Sequence, residues 1–132
     1  MQRDPDSPAT WLSYAKSDLA LATLPAPQGV MLEMLCFHAQ QAAEKSIKAI
    51  LIWRAIPFPK THSVEHLIDL LPADIPRTPD LVASSQLTAY AVIPRYPGFE
   101  VPVSEERYRD AVRLAEAVVK WAEETLKPAG TP

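Results

Sequence analysis

Apolar residues recur every three or four positions through five windows that proline leaves uninterrupted, and this spacing predicts helices. In the first, residues 8–24, Leu12, Ala15, Leu19 and Ala22 share one face; Ser7 is positioned as a cap and Pro8 takes the first helical turn. Pro25, Pro27 and Gly29 close it. The second and longest, residues 30–54, carries the stripe Leu32, Leu35, Ala39, Ala42, Ala43, Ile47, Ile50 and Leu51. Pro57 and Pro59 then impose an extended crossing. A short third helix over 63–71 buries Val64, Leu67, Ile68 and Leu71. The fourth starts at Thr78 and Pro79 and runs to about Val92.

The fifth helix, residues 104–126, has Ser104 as cap, with Glu105 and Glu106 in the first turn where the helix dipole favours them. Its stripe is Tyr108, Ala111, Val112, Ala115, Val118, Val119, Ala122 and Leu126. Leu114, Ala117 and Trp121 form a second apolar edge, which suits either a second neighbour within the monomer or a dimer contact. No window shows strand alternation. Three long and two short helices sharing a core make an all-α protein, an antiparallel helical bundle of about five helices.

Composition fits that reading. The 132 residues, 48% hydrophobic and 22% charged, allow one packed core and no second, so a bundle over residues 8–127 is expected between flexible termini, 1–7 and 128–132. The 14 prolines belong to the connections, since one inside a helix costs about 3 kcal/mol. A net charge of −3 excludes a general basic coat for nucleic acid but not a basic pocket. Lys and Arg outnumber acids four to two over residues 28–60, whereas seven face eleven acids over 61–132. The single Cys36 makes no internal disulfide, and no run reaches the roughly 18–20 apolar residues of a membrane span. The polar amino terminus does not resemble a signal peptide, and a cytoplasmic location without membrane attachment is expected.

The densest polar cluster is on the second helix. His38, Gln41, Lys45 and Lys48 step by three, four and three, which aligns an imidazole, an amide and two cations on one face. Such a row suits a phosphate or an RNA backbone. Two structural readings compete with this: a solvated face carrying a Glu44–Lys48 pair, or a cross-link between helices through Gln41 and Lys45. In the loop Pro94-Arg95-Tyr96-Pro97-Gly98, two prolines restrain Arg95 beside a tyrosine. The pair can bind a phosphate and stack a base, or Arg95 can cap the fourth helix.

His62, Glu65 and His66 match the H-x-x-E-H string of inverted zinc peptidases, but His62 precedes the helix and the chain is too short for such a catalytic domain. No metal or other cofactor is expected. Three scattered glycines build no phosphate loop, Cys36 reads as an inert core thiol, and no serine has a nucleophile's surroundings.

The stretch from Cys36 to Ala49, CFHAQQAAEKSIKA, resembles the signature helix of the HEPN family. The agreement continues in Pro59-Lys60-Thr61-His62, Tyr90 and Arg95-Tyr96-Pro97, and covers about residues 11–124. The resemblance implies a bundle akin to the carboxy-terminal domain of kanamycin nucleotidyltransferase and a role in binding nucleotides or RNA. It further implies pairing with a minimal nucleotidyltransferase in a toxin–antitoxin-type module, and homodimerisation. His38, Gln41, Lys45, Lys48, Arg95 and Tyr96 are the expected contacts. Many relatives are metal-independent ribonucleases that use an Arg-x4–6-His motif. No His follows Arg95 or any other arginine at that spacing here, so a nuclease would need a rearranged pair, with His38 or His62 moving the proton. A bundle that only dimerises is the third possibility.

Overall fold

The computed structural model describes residues 7–23, 30–91 and 103–127. Arg95, Tyr96, the end of the expected fourth helix at Val92 and, apart from Ser7, the termini expected to be flexible lie outside them.

Helix α1 spans Pro8–Thr23 and starts where the Ser7 carbonyl accepts from the Thr10 and Trp11 amides. Helix α2 spans Leu32–Trp53. Helix α3, Val64–Asp69, is capped by Ser63, whose hydroxyl accepts from the His66 amide. Helix α4, Pro79–Ala83, is capped in the same way by Thr78, and α5, Glu105–Leu126, by Ser104. Thr78 and Ser104 are the caps the sequence predicts, and Ser63, expected only as the first residue of its helix, caps α3. The described residues contain no strand.

Two predicted boundaries require correction. The third helix ends at Asp69, two residues short of Leu71, and continues as a turn. The fourth keeps α geometry only to Ala83, and Ser84–Tyr90 is a 3₁₀ helix. Side chains that compete for the backbone account for the change. The Ser84 hydroxyl donates to the Leu81 carbonyl at 2.5 Å, and Thr88 accepts from the Val64 amide at 3.0 Å, which ties the 3₁₀ turn to the start of α3.

α2 forms the centre of the core, packed against α1 on one side and α5 on another, with Ile47, Ile50 and Leu51 fully buried. α1 runs antiparallel to both. Toward α5, its end at Ala22 accepts from the Tyr108 hydroxyl, while Lys16 pairs with Glu123. Toward α2, Trp11 lies by Lys48 and Tyr14 by Lys45. The second apolar edge of α5 is covered within the monomer: Leu114 and Trp121 are buried, and the indole N–H donates to the Pro76 carbonyl at 3.0 Å.

Between α3 and α4, Arg77 holds the backbone together. Its guanidinium donates to the carbonyls of Ile68, Leu71, Pro72 and Ile75, which satisfies orphan acceptors at the end of α3. α2 ends in a Schellman motif: the Ile56 amide donates to the Leu51 carbonyl and the Ala55 amide to Ile52. Ala55 sits at φ 57°, a position that favours glycine. From there the chain crosses to Phe58 and His62, which lie against α2.

Candidate functional site

The polar row of α2 divides into two clusters, each built on a carboxylate. In the first, Asp18 of α1 receives both His38 and Lys45. One carboxylate oxygen lies 3.0 Å from His38 Nδ1, and the other accepts from Lys45 Nζ at 2.7 Å. An ionised carboxylate only accepts, so the imidazole carries its proton on Nδ1. Among the described residues, Nε2 has no hydrogen-bond partner. The Tyr14 ring centroid lies 5.7 Å from the Lys45 ammonium, and Tyr14, Ser17, Asp18 and Lys45 line an open cleft. Side-chain exposure is 33% for His38 and 22% for Lys45, so a ligand can reach both.

The second cluster is centred on Glu44, whose side chain is only 4% exposed. Its Oε2 accepts from Lys48 at 2.8 Å; its Oε1 accepts from Gln40 at 2.9 Å and lies 2.9 Å from His62 Nδ1. Gln40 also donates to the His62 carbonyl at 3.1 Å, and its own carbonyl oxygen accepts from Gln41 at 2.7 Å. Every donor meets an acceptor, as a buried polar network requires. The Lys48 ammonium lies 5.7 Å from the Trp11 centroid and 5.5 Å from that of Phe58, between rings that stabilise a buried cation. Burial alone would push the Glu44 carboxyl up, but hydrogen bonds from Lys48, Gln40 and His62 outweigh it and hold the group below its ordinary range.

The fold therefore brings His38 and Lys45 together on Asp18, with Lys45 lining the cleft, and sends Gln41 and Lys48 to the interior. The Glu44–Lys48 pair forms, but inside the bundle rather than on a solvated face. The sequence reading missed Asp18, although a signal existed. Asp18 falls between Ala15 and Ala22 on the apolar face of α1, where a lone carboxylate needs partners from across the interface. Gln40 and Glu44 gave a similar signal within the α2 stripe.

The remaining candidates among the described residues are engaged in local contacts or buried. Burial, with Glu33 adding to it, pushes the Cys36 thiol up to about 11, so it stays protonated and inert. His62 is committed to Glu44, and among the described residues no three His, Cys, Asp or Glu side chains gather as metal ligands. On the outer face of α5, Arg113 pairs with Asp80 and Asp110, and Arg109 faces Glu105, so those charges are matched. No helix among the described residues is long and apolar enough to cross a membrane.

The described residues form an all-helical bundle whose central helix carries a carboxylate–imidazole–amine network. The HEPN domain model matches residues 9–125, and the chain belongs to the HEPN family. Two solved structures share the fold. TT1696 from Thermus thermophilus is 29% identical with a TM-score of 0.74, over 90% of this chain and 98% of that one. ST0689, an archaeal HEPN homologue, is 24% identical with a TM-score of 0.70, over 92% of this chain and 98% of the other. No curated protein matches the sequence.

Proposed function

We propose that this HEPN chain is a nucleotide- or RNA-binding module, the partner of a minimal nucleotidyltransferase in a toxin–antitoxin-type pair, and that it receives a phosphate at the cleft between α1 and α2. One observation carries the reading: Asp18 holds the Lys45 ammonium at 2.7 Å on the lining of an open cleft beside the Tyr14 ring, with the His38 imidazole on its other oxygen. Lys45 supplies a charge-assisted bond to a phosphate oxygen, and His38 a second contact through Nε2. Tyr14 offers a surface on which a base can stack. Gln41 and Lys48 act behind this face, holding α2 and the 55–63 crossing in place. Arg95 and Tyr96 are further proposed contacts. The partner protein and a homodimeric state belong to the same proposal and rest on the family resemblance.

Calorimetric titration with ATP and with a short single-stranded RNA tests the reading. Binding should weaken at least about tenfold in Lys45→Gln, as expected for loss of one charge-assisted contact, with little change in melting temperature. A wild-type protein that binds neither ligand leaves only the partner role.

The two imidazoles favour a second reading. His38 and His62 each have Nδ1 fixed by a carboxylate, the arrangement that leaves Nε2 as a proton acceptor in general-base catalysis. A metal-independent ribonuclease with a rearranged Arg/His pair would use one of them. RNA left intact in chelator-containing buffer by the wild type removes this reading; cleavage abolished by His38→Ala or His62→Ala would identify the residue.

A further inference from the structure

We infer that the recess between the 3₁₀ turn and α5 binds a small apolar α-amino acid as its zwitterion, with the carboxylate on Arg107, the ammonium on Asp110 and the side chain on the floor below them. The recess shares no residue with the α1–α2 cleft, and the inference does not depend on the phosphate reading. Its floor is apolar: Leu87, Ala111 and Leu114 are buried, and Tyr90 beside them is 7% exposed. Arg107 and Asp110 complete the lining, and the same two side chains also line an open, charged cleft on the outer side of α5. They stand at the boundary between an apolar hollow and water, where the charged head of an amphiphilic ligand belongs.

Arg107 differs from the arginines around it. Arg113 pairs with Asp80 and Asp110, and Arg109 faces Glu105, but among the described residues no carboxylate pairs with the Arg107 guanidinium. It faces the Tyr90 hydroxyl instead. Burial pushes that hydroxyl up and Arg107 offsets only part of the rise, so the phenol keeps its proton at neutral pH. An unmatched guanidinium beside a phenolic O–H offers donors for one carboxylate. Asp110 supplies the complementary acceptor. Both contacts from Arg113 go to its Oδ1, at 3.3 and 3.1 Å, and among the described residues its Oδ2 receives no hydrogen bond.

Charge and size select the ligand class. Around the boundary Arg107, Arg109 and Arg113 meet Asp80, Glu105, Glu106 and Asp110, so the region has no net positive charge to draw a nucleic-acid strand. A ligand that is neutral overall but carries one charge of each sign meets no such barrier, and each of its charges finds its opposite. The recess measures about 70 Å³, room for about five waters. That accepts a branched aliphatic side chain and is too small for a purine. Burying the side chain supplies affinity, and the two charged contacts fix which way round the ligand sits.

The experiment is titration of the isotope-labelled protein with L-leucine, followed by NMR. The amide signals of Leu87, Ala111 and Leu114 should shift and saturate. Arg107→Gln and Asp110→Asn should each weaken binding at least about tenfold, as loss of a charge-assisted contact does, whereas Lys45→Gln should leave it unchanged. Both positions are exposed, so the variants should keep the wild-type fold. Isocaproate, which lacks the ammonium, and leucine methyl ester, which lacks the carboxylate, should also bind at least about tenfold more weakly than leucine. No saturable shift up to the solubility of leucine overturns the inference, and so does binding that survives in Arg107→Gln. N-acetyl-leucine bound as tightly as leucine overturns the zwitterion and reassigns the recess to the carboxyl terminus of a peptide. None of these outcomes touches the phosphate reading, which the ATP and RNA titrations decide.

Discussion

The Asp18 and Glu44 clusters contain the same chemical groups, a carboxylate, a lysine and an imidazole, yet they differ in what surrounds them. Asp18 spans two helices at the rim of a cleft, with its side chain 12% exposed and its partners open to solvent. Glu44 lies in the interior, bonded from three directions, and Lys48 is enclosed by two aromatic rings. Water reaches the first cluster at both His38 and Lys45, and the second only at the half-exposed His62, away from Glu44 and Lys48. An exposed ion pair contributes little to stability, whereas breaking one member of a buried pair leaves an uncompensated charge. The difference therefore separates two roles: the Glu44 cluster holds the fold, and the Asp18 cluster remains available to a ligand.

The sharpest way to break this comparison is to delete each carboxylate. Glu44→Ala should cost about 3–5 kcal/mol, because Lys48 would be left buried without its counter-charge and Gln40 would lose an acceptor. Urea titration of the purified variant measures this. A loss below about 1 kcal/mol, the range of an exposed pair, would mean that the two clusters are energetically alike.

Acid provides an independent measure of the same buried group. The folded state holds the Glu44 carboxyl below its ordinary value of 4.5. Its contribution is complete above that value and is lost as pH falls through the lower folded value, since below 4.5 the unfolded chain binds a proton that the folded one refuses. The wild-type urea midpoint should therefore drop as pH falls below 4.5, and Glu44→Gln should show a shallower drop. Asp74, held down by its hydrogen bond from Arg54, contributes in the same direction and remains in the variant, so some acid dependence persists. Equal slopes in the two proteins would show that Glu44 is not the group that senses acid.

Asp18→Asn is the smaller, complementary change. It should cost about 1 kcal/mol or less, in keeping with a pair at the solvent boundary. Its effect on ligand binding should exceed its effect on folding, because neither Lys45 nor His38 would still be oriented by a charge. Parallel melting and calorimetric measurements decide the matter. A stability loss as large as that of Glu44→Ala, with unchanged ligand affinity, would make both clusters structural.

The sequence disclosed the helices far better than it disclosed this division. Helix starts were legible because Ser63, Thr78 and Ser104 act locally: a hydroxyl reaches an amide three residues on, whatever the remaining fold does. The break after Ala83 was hidden because part of its cause is tertiary, the bond from the Val64 amide to Thr88. The polar row of α2 was found by its spacing, but spacing is blind to which carboxylates face it. Asp18 lies 20 residues from His38 and 27 from Lys45, and only the docking of α1 brings it to them. Burial follows the same logic. Lys45 and Lys48 are indistinguishable as letters, and their different environments come from the rings and carboxylates of other elements.

The smallest expected effect tests whether the two clusters are mechanically separate. Ala55 opens the crossing that carries Phe58 and His62 to Glu44, and it does so at φ 57°, where a β-carbon crowds the backbone. Glycine removes that crowding while the Schellman bonds from the Ile56 and Ala55 amides stay in place. Ala55→Gly should therefore stabilise the protein by about 0.5–1 kcal/mol, the relief of left-handed strain less the extra freedom glycine has when unfolded. Because the crossing touches Glu44 and not Asp18, ligand affinity at the α1–α2 cleft should stay the same. A gain in stability accompanied by altered affinity would show that motion of the 55–63 segment reaches His38 and Lys45. In that case the buried cluster would do more than hold the fold, since it would also set the geometry of the open one.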